Sequence, residues 1–149
     1  MPEVIIYTDG ACDPNPGSGG WAAILLFQKI KKEIKGSEYL STNNRMELMA
    51  AIQALKVLKV SYKVRLYTDS KYLQMGIEEW MPDWIERGWK RKGGKLANIE
   101  LWQSLQVLSK KHSIEWHWLK GHAGNIYNER VNWMAQQAIR GGSIGKIMF

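Results

Sequence analysis

The tripeptide Tyr-Thr-Asp occurs twice in this chain, and its last residue is Asp9 in one copy and Asp69 in the other. The tyrosine of each copy is the last residue of a short run rich in β-branched and aromatic residues, 4–7 and 64–67. Such runs are typical of strands. A helical stretch separates the runs, so we expect two parallel strands that are neighbours in one sheet. If the strands are in register the carboxylates converge, and at about 4 Å they would repel by roughly 4 kcal/mol at an effective dielectric near 20. Pairs of this kind normally hold a cation, so the repeat predicts a metal site, although either aspartate alone would suit a turn or a helix cap.

Glu47 is a third acid, and the residues around it support two interpretations. The capping residues 41–44 precede a helix that we expect to reach about residue 59, with an apolar stripe at helical spacing. With Asn44 as the N-cap, Glu47 would occupy the third helical position and close a capping box. A hard cation such as Mg²⁺ prefers several carboxylate oxygens and retained waters, so Glu47 would equally complete the site of the two aspartates. The residues alone leave both interpretations open.

His122 lies between glycines in the segment 120–125, which we expect to be a mobile loop. A histidine in such a loop can move, and it can transfer protons near neutral pH. Because an isolated loop histidine is more often simply solvated, this residue is a candidate only in the company of the acids.

Residues 80–95 combine basic and aromatic side chains. The cations would suit the phosphates of a nucleic acid, and the tryptophans would either stack on sugars or pack against one another. Packing is the interpretation that we favour for the tryptophans. The basic residues are Arg87, Lys90, Arg91, Lys92 and Lys95, and the tryptophans are Trp80, Trp84 and Trp89.

The composition fits a single globular domain of 149 residues with a polyanionic partner. The net charge is +7 and the isoelectric point is near 9.5, which makes nucleic acid the first partner to consider. The single cysteine, Cys12, excludes an internal disulfide and a thiolate zinc site. The sequence has no apolar run long enough to span a bilayer and no pattern of a signal peptide, so we expect a cytoplasmic protein without a membrane partner.

The remaining pattern predicts the elements that position these residues. The glycine- and proline-rich segment 11–17 should end the first strand and so place Asp9 at its edge. Residues 21–27 and 35–40 should follow as an antiparallel meander with a turn at 29–35. The residues expected at helix starts are Ser70, Pro82 and Asn98. The other expected elements are a strand at 114–118, a last helix at roughly 128–139 and a flexible tail at 141–149.

Assembled in order, these motifs resemble ribonuclease HI of the bacterial type. The matching stretches are YTDGACDPNPGSGGW, TNNRMELMAAIQAL, YTDSKYLQMGI, the tryptophan-rich segment that ends in RGWK, and WLKGHAGNIYNERVNWMA. The similarity runs from about residue 4 to about residue 138. It implies a ribonuclease H-like α/β fold, in which a mixed five-stranded sheet of three antiparallel and then two parallel strands is flanked by helices. It also implies one domain at 1–140 that includes a basic protrusion at about 80–97.

The resemblance further implies an activity and a set of site residues. The family cleaves the RNA strand of RNA–DNA hybrids as a monomeric endonuclease with two Mg²⁺ ions, for which Mn²⁺ can substitute. Asp9, Glu47 and Asp69 fall on three of its four acidic ligand positions, and His122 falls on its mobile catalytic histidine. The predicted substrate-binding residues are Asn15, Thr42, Asn43, Asn44 and, in the protrusion, Trp80, Arg87, Lys90, Arg91, Lys92 and Lys95.

One position departs from the family pattern. After the histidine loop the family has Asn-Glu, two residues and then aspartate, whereas this chain has Asn132 in the place of the aspartate. An amide offers a carbonyl oxygen but no charge, so we expect a weaker hold on the second cation and reduced activity. In the implied two-metal mechanism Asp9 would bridge both ions, and Asn132 would stand in for the fourth acid. Two other classes stay open: a hybrid-binding module that does not cleave, and a DNA strand-transfer enzyme of the same superfamily.

Overall fold

The protein is built on one mixed sheet of five strands. A computed structural model of the chain describes residues 1–90, 97–120 and 124–148, with side chains as far as Gly141. The strands are β1 Glu3–Cys12, β2 Gly17–Leu26, β3 Lys31–Ser41, β4 Lys63–Thr68 and β5 Ser113–Trp118. Their order is β3-β2-β1-β4-β5, with antiparallel pairing in β1–β2 and β2–β3 and parallel pairing in β1–β4 and β4–β5. The fold predicted from the sequence is therefore confirmed.

β1 is longer than predicted. Its ladder with β2 continues past Asp9 as far as Cys12, which lies opposite Gly19. Asp9 is therefore inside the strand, opposite Ala22, and the prediction that the strand ends there was wrong. The cause is the long-range pairing with β2, which outweighs the local preference of the glycine and prolines that follow.

The turn before β3 is tighter than predicted. The backbone N–H of Phe27 donates to the carbonyl of Ile30 at 2.9 Å, so that Lys31 already lies opposite Leu26 in the ladder. The predicted turn at 29–35 was wrong because this short reversal lets the polar residues after it join the strand.

Helices lie on both faces of the sheet. They are α1 Asn43–Lys56, α2 Lys71–Met75, α3 Met81–Glu86, α4 Ile99–Lys111 and α5 Ile126–Met148, with a π-helical turn at Gly76–Trp80. The face covered by α1 and α4 holds the larger apolar core, which includes Leu55, Leu66 and Trp102. α5 covers the other face over β1, β2 and β3, where Val131 and Ala135 belong to a second core.

The three predicted helix starts are confirmed, but the capping role of one side chain is corrected. Ser70 caps α2, since its hydroxyl accepts a hydrogen bond from the N–H of Leu73 at 3.1 Å. Pro82 lies in the first turn of α3. Asn98 precedes α4 but has a left-handed backbone with φ 58°, and its Nδ2 donates to the hydroxyl of Tyr72 at 3.2 Å. Its side chain therefore ties α4 to α2, and the predicted capping role was wrong.

The ends of α1 and α5 also differ from the prediction. α1 ends at Lys56, before residue 59. α5 begins at Ile126, and its backbone continues beyond the predicted 128–139 to Met148. The helix continues through glycines, which local propensity disfavours, and the flexibility of residues 141–149 stays a prediction. Among the helices of the described residues, none has the length and apolar character that a membrane crossing requires.

Candidate active site

Three acidic side chains meet beside the two parallel strands that carry the repeated tripeptide. Asp9 comes from β1, Asp69 directly follows β4, and Glu47 comes from α1. An oxygen of each carboxylate lies within 4.8 Å of the other two. The strands are in register as predicted, with Tyr7 opposite Tyr67. The sheet and its crossover helix thus bring the three predicted acids together.

The start of α1 decides between the two interpretations of Glu47. The N-cap is Thr42, whose hydroxyl accepts a hydrogen bond from the N–H of Arg45 at 3.1 Å. Asn44 is already inside the helix, so Glu47 lies too far along it to form a capping box, and that interpretation was wrong. Both Thr42 and Asn44 are good caps, which is why the sequence alone did not separate them.

Gly10 and Arg45 hold the first turns of α1 against the sheet. A Cβ on Gly10 would collide with the backbone of Met46, so the close approach of α1 to β1 requires glycine. Arg45 donates through Nε to Glu38 at 2.8 Å and through Nη1 to Glu100 at 3.0 Å. These contacts join α1 to β3 and α4 and so fix the helix that carries the third acid.

Burial and mutual repulsion raise the pKa of two of the acids. Asp9 is 5% exposed, and its burial, followed by the charge of Asp69, raises its pKa from 3.8 to about 7. Burial also raises the pKa of Glu47 well above 4.5, and the charges of Asp9 and Asp69 add to this effect. A hydrogen bond between the carboxyl groups of Asp9 and Glu47 lowers the pKa of Asp9 and raises that of Glu47, both by less than burial does.

This arrangement suits a hard divalent cation. Oε2 of Glu47 is buried and lacks a hydrogen-bond partner among the described residues. A cation would supply that partner. Its positive charge would also offset the repulsion between the Asp9 and Asp69 carboxylates, which helps to raise the pKa of Asp9. A donor set of three carboxylates matches Mg²⁺ or Mn²⁺.

Asn132 lines the same cavity as the three acids. The cavity has a volume of about 540 Å³, and α5 contributes Asn132 and Gln136 to its wall. The structure therefore brings all four predicted ligand positions to one cavity, with an uncharged amide at the fourth.

Asn128 is a residue of this site that the sequence analysis missed. Its Nδ2 donates to Oδ2 of Asp69 at 3.4 Å, and the residue is 4% exposed. It lies in the first turn of α5, four residues before Asn132. Because residues four apart share a helix face, this spacing was the available signal.

A second hollow is lined by polar residues that were predicted to contact substrate. Asn15, Thr42, Asn43 and Asn44 line it together with Tyr72. Oδ1 of Asn15 accepts a hydrogen bond from the N–H of Asn43 at 3.2 Å, which joins the turn after β1 to the start of α1. Asn43 and Asn44 also line the acidic cavity, so the two hollows adjoin.

The predicted basic protrusion is described only in part. Nε of Arg87 lies 3.3 Å from Oδ1 of Asp83, and both side chains are half exposed. Lys90 is exposed, and the ring of Trp80 packs 5.6 Å from that of Tyr72. The predicted site residues that lie outside the described residues are Arg91, Lys92, Lys95 and His122.

The tryptophans of this segment pack against one another. The ring centroid of Trp84 lies 6.1 Å from Trp80, 6.2 Å from Trp89 and 5.7 Å from Trp102. Trp84 and Trp89 also contact the larger apolar core. The packing interpretation is confirmed, and a contact of Trp80 with substrate stays a prediction.

Proteins of a known family are similar to this chain over almost its whole length. The family model for RNase H matches residues 1–140. A ribonuclease H of Hahella chejuensis is 54% identical over 141 residues, which cover 94% of this chain and 95% of the relative. A ribonuclease H of Wolbachia pipientis is 53% identical over 138 residues, which cover 92% and 95%.

Solved structures agree with this relationship. LC9-RNase H1, described as a type 1 RNase H with the type 2 active-site motif, is 33% identical with a TM-score of 0.88, covering 95% of this chain and 74% of that chain. LC11-RNase H1, solved in complex with an RNA/DNA hybrid, has a TM-score of 0.66 at 20% identity, covering 91% and 99%, and shares the fold. With its fold, its acid cluster and these matches over nearly its full length, the chain belongs to the ribonuclease H family of enzymes.

Proposed function

We propose that this chain is an endonuclease that hydrolyses the RNA strand of RNA–DNA hybrids with two divalent cations, and that Asn132 lowers its activity. The observation that carries the proposal is the approach of Asp9, Glu47 and Asp69 to within 4.8 Å at a cavity that Asn132 also lines. The ribonuclease H relatives, identical at more than half of the aligned positions, support the substrate class.

The three acids have different roles in the proposed mechanism, according to their positions in the fold. Asp9, buried inside β1 and paired with Ala22 of β2, is the residue that would contact both cations. Glu47, from α1, and Asp69, after the end of β4, would be the other carboxylate ligands of the cations. When bound, the cations activate the attacking water and stabilise the leaving 3′ oxygen. Because the pKa values of Asp9 and Glu47 are raised, any proton that these carboxyl groups hold must be released when they bind the cations.

Asn132 accounts for the reduced activity in this proposal. Asparagine matches aspartate in volume and keeps a carbonyl oxygen as a ligand, but it carries no negative charge. A cation held partly by this residue is therefore bound less tightly than one held by a fourth carboxylate. The same change removes one like charge from a cavity in which the pKa of Asp9 is already raised.

The two adjoining hollows suit a hybrid duplex. The amide side chains of Asn15, Asn43 and Asn44 can hydrogen bond to groups in the shallow minor groove, where only an RNA strand presents 2′-hydroxyls. Lys90 and its basic neighbours in the protrusion suit the phosphates. Alanine at Lys90, Arg91 and Lys92 should weaken hybrid binding and lower the slope of log affinity against log salt by about 0.7–0.9 for each lost phosphate contact.

A second candidate function is hybrid binding without cleavage, and Asn132 is the observation that favours it. A protein with an incomplete acid set would keep the hollows and the basic segment while losing turnover. A DNA strand-transfer enzyme is a weaker candidate, because the relatives with more than half of their residues identical are ribonucleases H.

One assay separates these candidates. Labelled RNA–DNA hybrid, RNA duplex and DNA duplex are each incubated with Mg²⁺ and with either the unchanged chain or its Asn132→Asp variant. We expect cleavage of the RNA strand of the hybrid alone, slow with the unchanged chain and at least about 100-fold faster with the variant. Hybrid binding without cleavage by either form would favour the binding module. Cleavage or joining of DNA would contradict the proposal.

A further inference from the structure

The start of α5 reaches the acid cluster through one buried side chain. Asn128 is 4% exposed, and its Nδ2 donates to Oδ2 of Asp69 at 3.4 Å. A carboxylate has two oxygens, so this contact engages one and leaves the other available as a ligand. The amide thus restricts how the carboxylate of Asp69 can turn.

The turn that carries Asn128 is itself held in place. Oδ1 of Asn125 accepts hydrogen bonds from the N–H groups of Tyr127 and Asn128, both at 3.0 Å. The carbonyl of Asn125 accepts from the N–H of Glu129 at 3.0 Å. The ring of Tyr127 packs 5.1 Å from that of Tyr7 in β1. The first turn of α5 is therefore tied both to the residue before it and to the sheet.

Asp69 depends on such support more than Asp9 does. β4 ends at Thr68, so Asp69 follows the strand and lies outside its ladder. Asp69 is also half-buried, whereas Asp9 is buried inside a paired strand. The orientation of the Asp69 carboxylate is thus set by side-chain contact rather than by the sheet.

We propose that Asn128 is a positioning residue, which holds the carboxylate of Asp69 in the cation site, and that Asn125 acts through it. The inference rests on the proposed function, since it requires a cation to bind at these acids. An amide suits this task because its NH₂ group donates a hydrogen bond at every working pH and adds no charge of its own.

The test is Mn²⁺ affinity, measured by electron paramagnetic resonance on the metal-free protein without substrate. Asn128→Leu removes the donor at similar volume, and Gln137→Leu, on the same helix but outside the cavity lining, is the matched control. We expect Asn128→Leu to weaken Mn²⁺ binding about 10-fold and the control to leave it unchanged. In an Asp69→Asn background, Asn128→Leu should change the affinity by less than about twofold, because the group it acts through is gone.

Equal losses in the two backgrounds, or no loss in the unchanged one, would overturn the inference. The proposed function would survive that result if Mn²⁺ binding still depended on Asp9. Mn²⁺ binding that persists unchanged in both Asp9→Asn and Asp69→Asn would overturn the two together. If Asn128→Leu fails to fold, Asn125→Ala loosens the same turn while keeping the amide, and it should weaken Mn²⁺ binding with the same dependence on Asp69.

Discussion

The two copies of Tyr-Thr-Asp share a sequence but occupy different places in the sheet. The copy that ends at Asp9 lies in β1, between β2 and β4, and its ladder continues to Cys12. The copy that ends at Asp69 closes β4, because Ser70 caps α2 immediately afterwards. One copy is a segment of a central strand, and the other is a junction between strand and helix.

These places give the two acids different properties. Asp9 is 5% exposed, and its burial raises its pKa to about 7. Asp69 is half-buried, and its carboxylate accepts a hydrogen bond from Asn128. The central strand therefore supplies a buried acid with a raised pKa, whereas the junction supplies a half-buried acid that is hydrogen bonded to another helix. Long-range pairing, which local sequence does not show, therefore determines the chemistry of each acid.

The largest expected effect is on the rate of hybrid cleavage, and substitution of either acid should produce it. In the Asn132→Asp variant, either Asp9→Asn or Asp69→Asn should slow hybrid cleavage by at least about 1,000-fold, roughly 4 kcal/mol of transition-state stabilisation. The reason is that each substitution removes a charged ligand from the same site. Single-turnover cleavage of a labelled hybrid measures both rates. A large loss in only one variant would show that the acids do not serve one reaction centre.

Without metal, the pH dependence of the free energy of unfolding should differ between variants of the two acids. Because the pKa of Asp9 is raised from 3.8 to about 7, the folded protein binds this proton more tightly than the unfolded chain does. The free energy of unfolding should therefore fall as the pH rises through that range, by at most roughly 4 kcal/mol. Asp9→Asn should remove much of this fall, and Asp69→Asn should remove less, since its charge is the second cause after burial.

Urea unfolding in EDTA, from about pH 4 to about pH 8, measures this difference. Glu47→Gln is a useful companion, because the pKa of Glu47 is raised in the same direction. Identical pH dependence in Asp9→Asn and Asp69→Asn would mean that the two copies of the tripeptide are electrostatically equivalent.

A substitution at position 132 should change the free energy of unfolding by a smaller amount, and the sign of the change should depend on whether metal is present. Without metal, Asn132→Asp should lower the free energy of unfolding by about 1 kcal/mol, because it adds a like charge to the cavity. Excess Mg²⁺ should narrow or reverse this order, since a ligand of the native state stabilises by mass action and aspartate binds it better. Melting curves in EDTA and in Mg²⁺ measure both. Equal metal-induced shifts, together with equal cleavage rates, would place residue 132 outside the site.

The smallest effect concerns the threonines of the repeated tripeptide. Oγ1 of Thr68 accepts a hydrogen bond from the N–H of Ser70 at 3.1 Å, whereas the buried Oγ1 of Thr8 has no partner within the described part of the chain. Thr68→Val should therefore destabilise by about 1 kcal/mol. Thr8→Val should be neutral or slightly stabilising, because it removes an unsatisfied polar group. Thermal unfolding of the two variants compares them, and a greater loss for Thr8→Val would contradict this difference.

What the sequence could predict followed from short patterns and from the repeat. The two similar runs indicated parallel strands in register, and this pairing brings Asp9 and Asp69 together. The continuation of β1 could not be predicted, because it depends on pairing with β2. Thr42 and Asn44 have similar capping preferences, so the true start of α1 was not visible either. The contact of Asn128 with Asp69 joins distant parts of the chain and exists only once α5 packs on the sheet.

The position at which a divalent cation binds is the most direct test of the proposed site. Crystals of the Asn132→Asp variant soaked in Mn²⁺ would locate the ion by its anomalous scattering. We expect Mn²⁺ at roughly 2.1 Å from oxygens of Asp9, Glu47 and Asp69, and no peak at that position after Asp9→Asn. Mn²⁺ ordered elsewhere on the protein, with none at the three acids, would contradict the claim that the two copies of Tyr-Thr-Asp and Glu47 form one cation site.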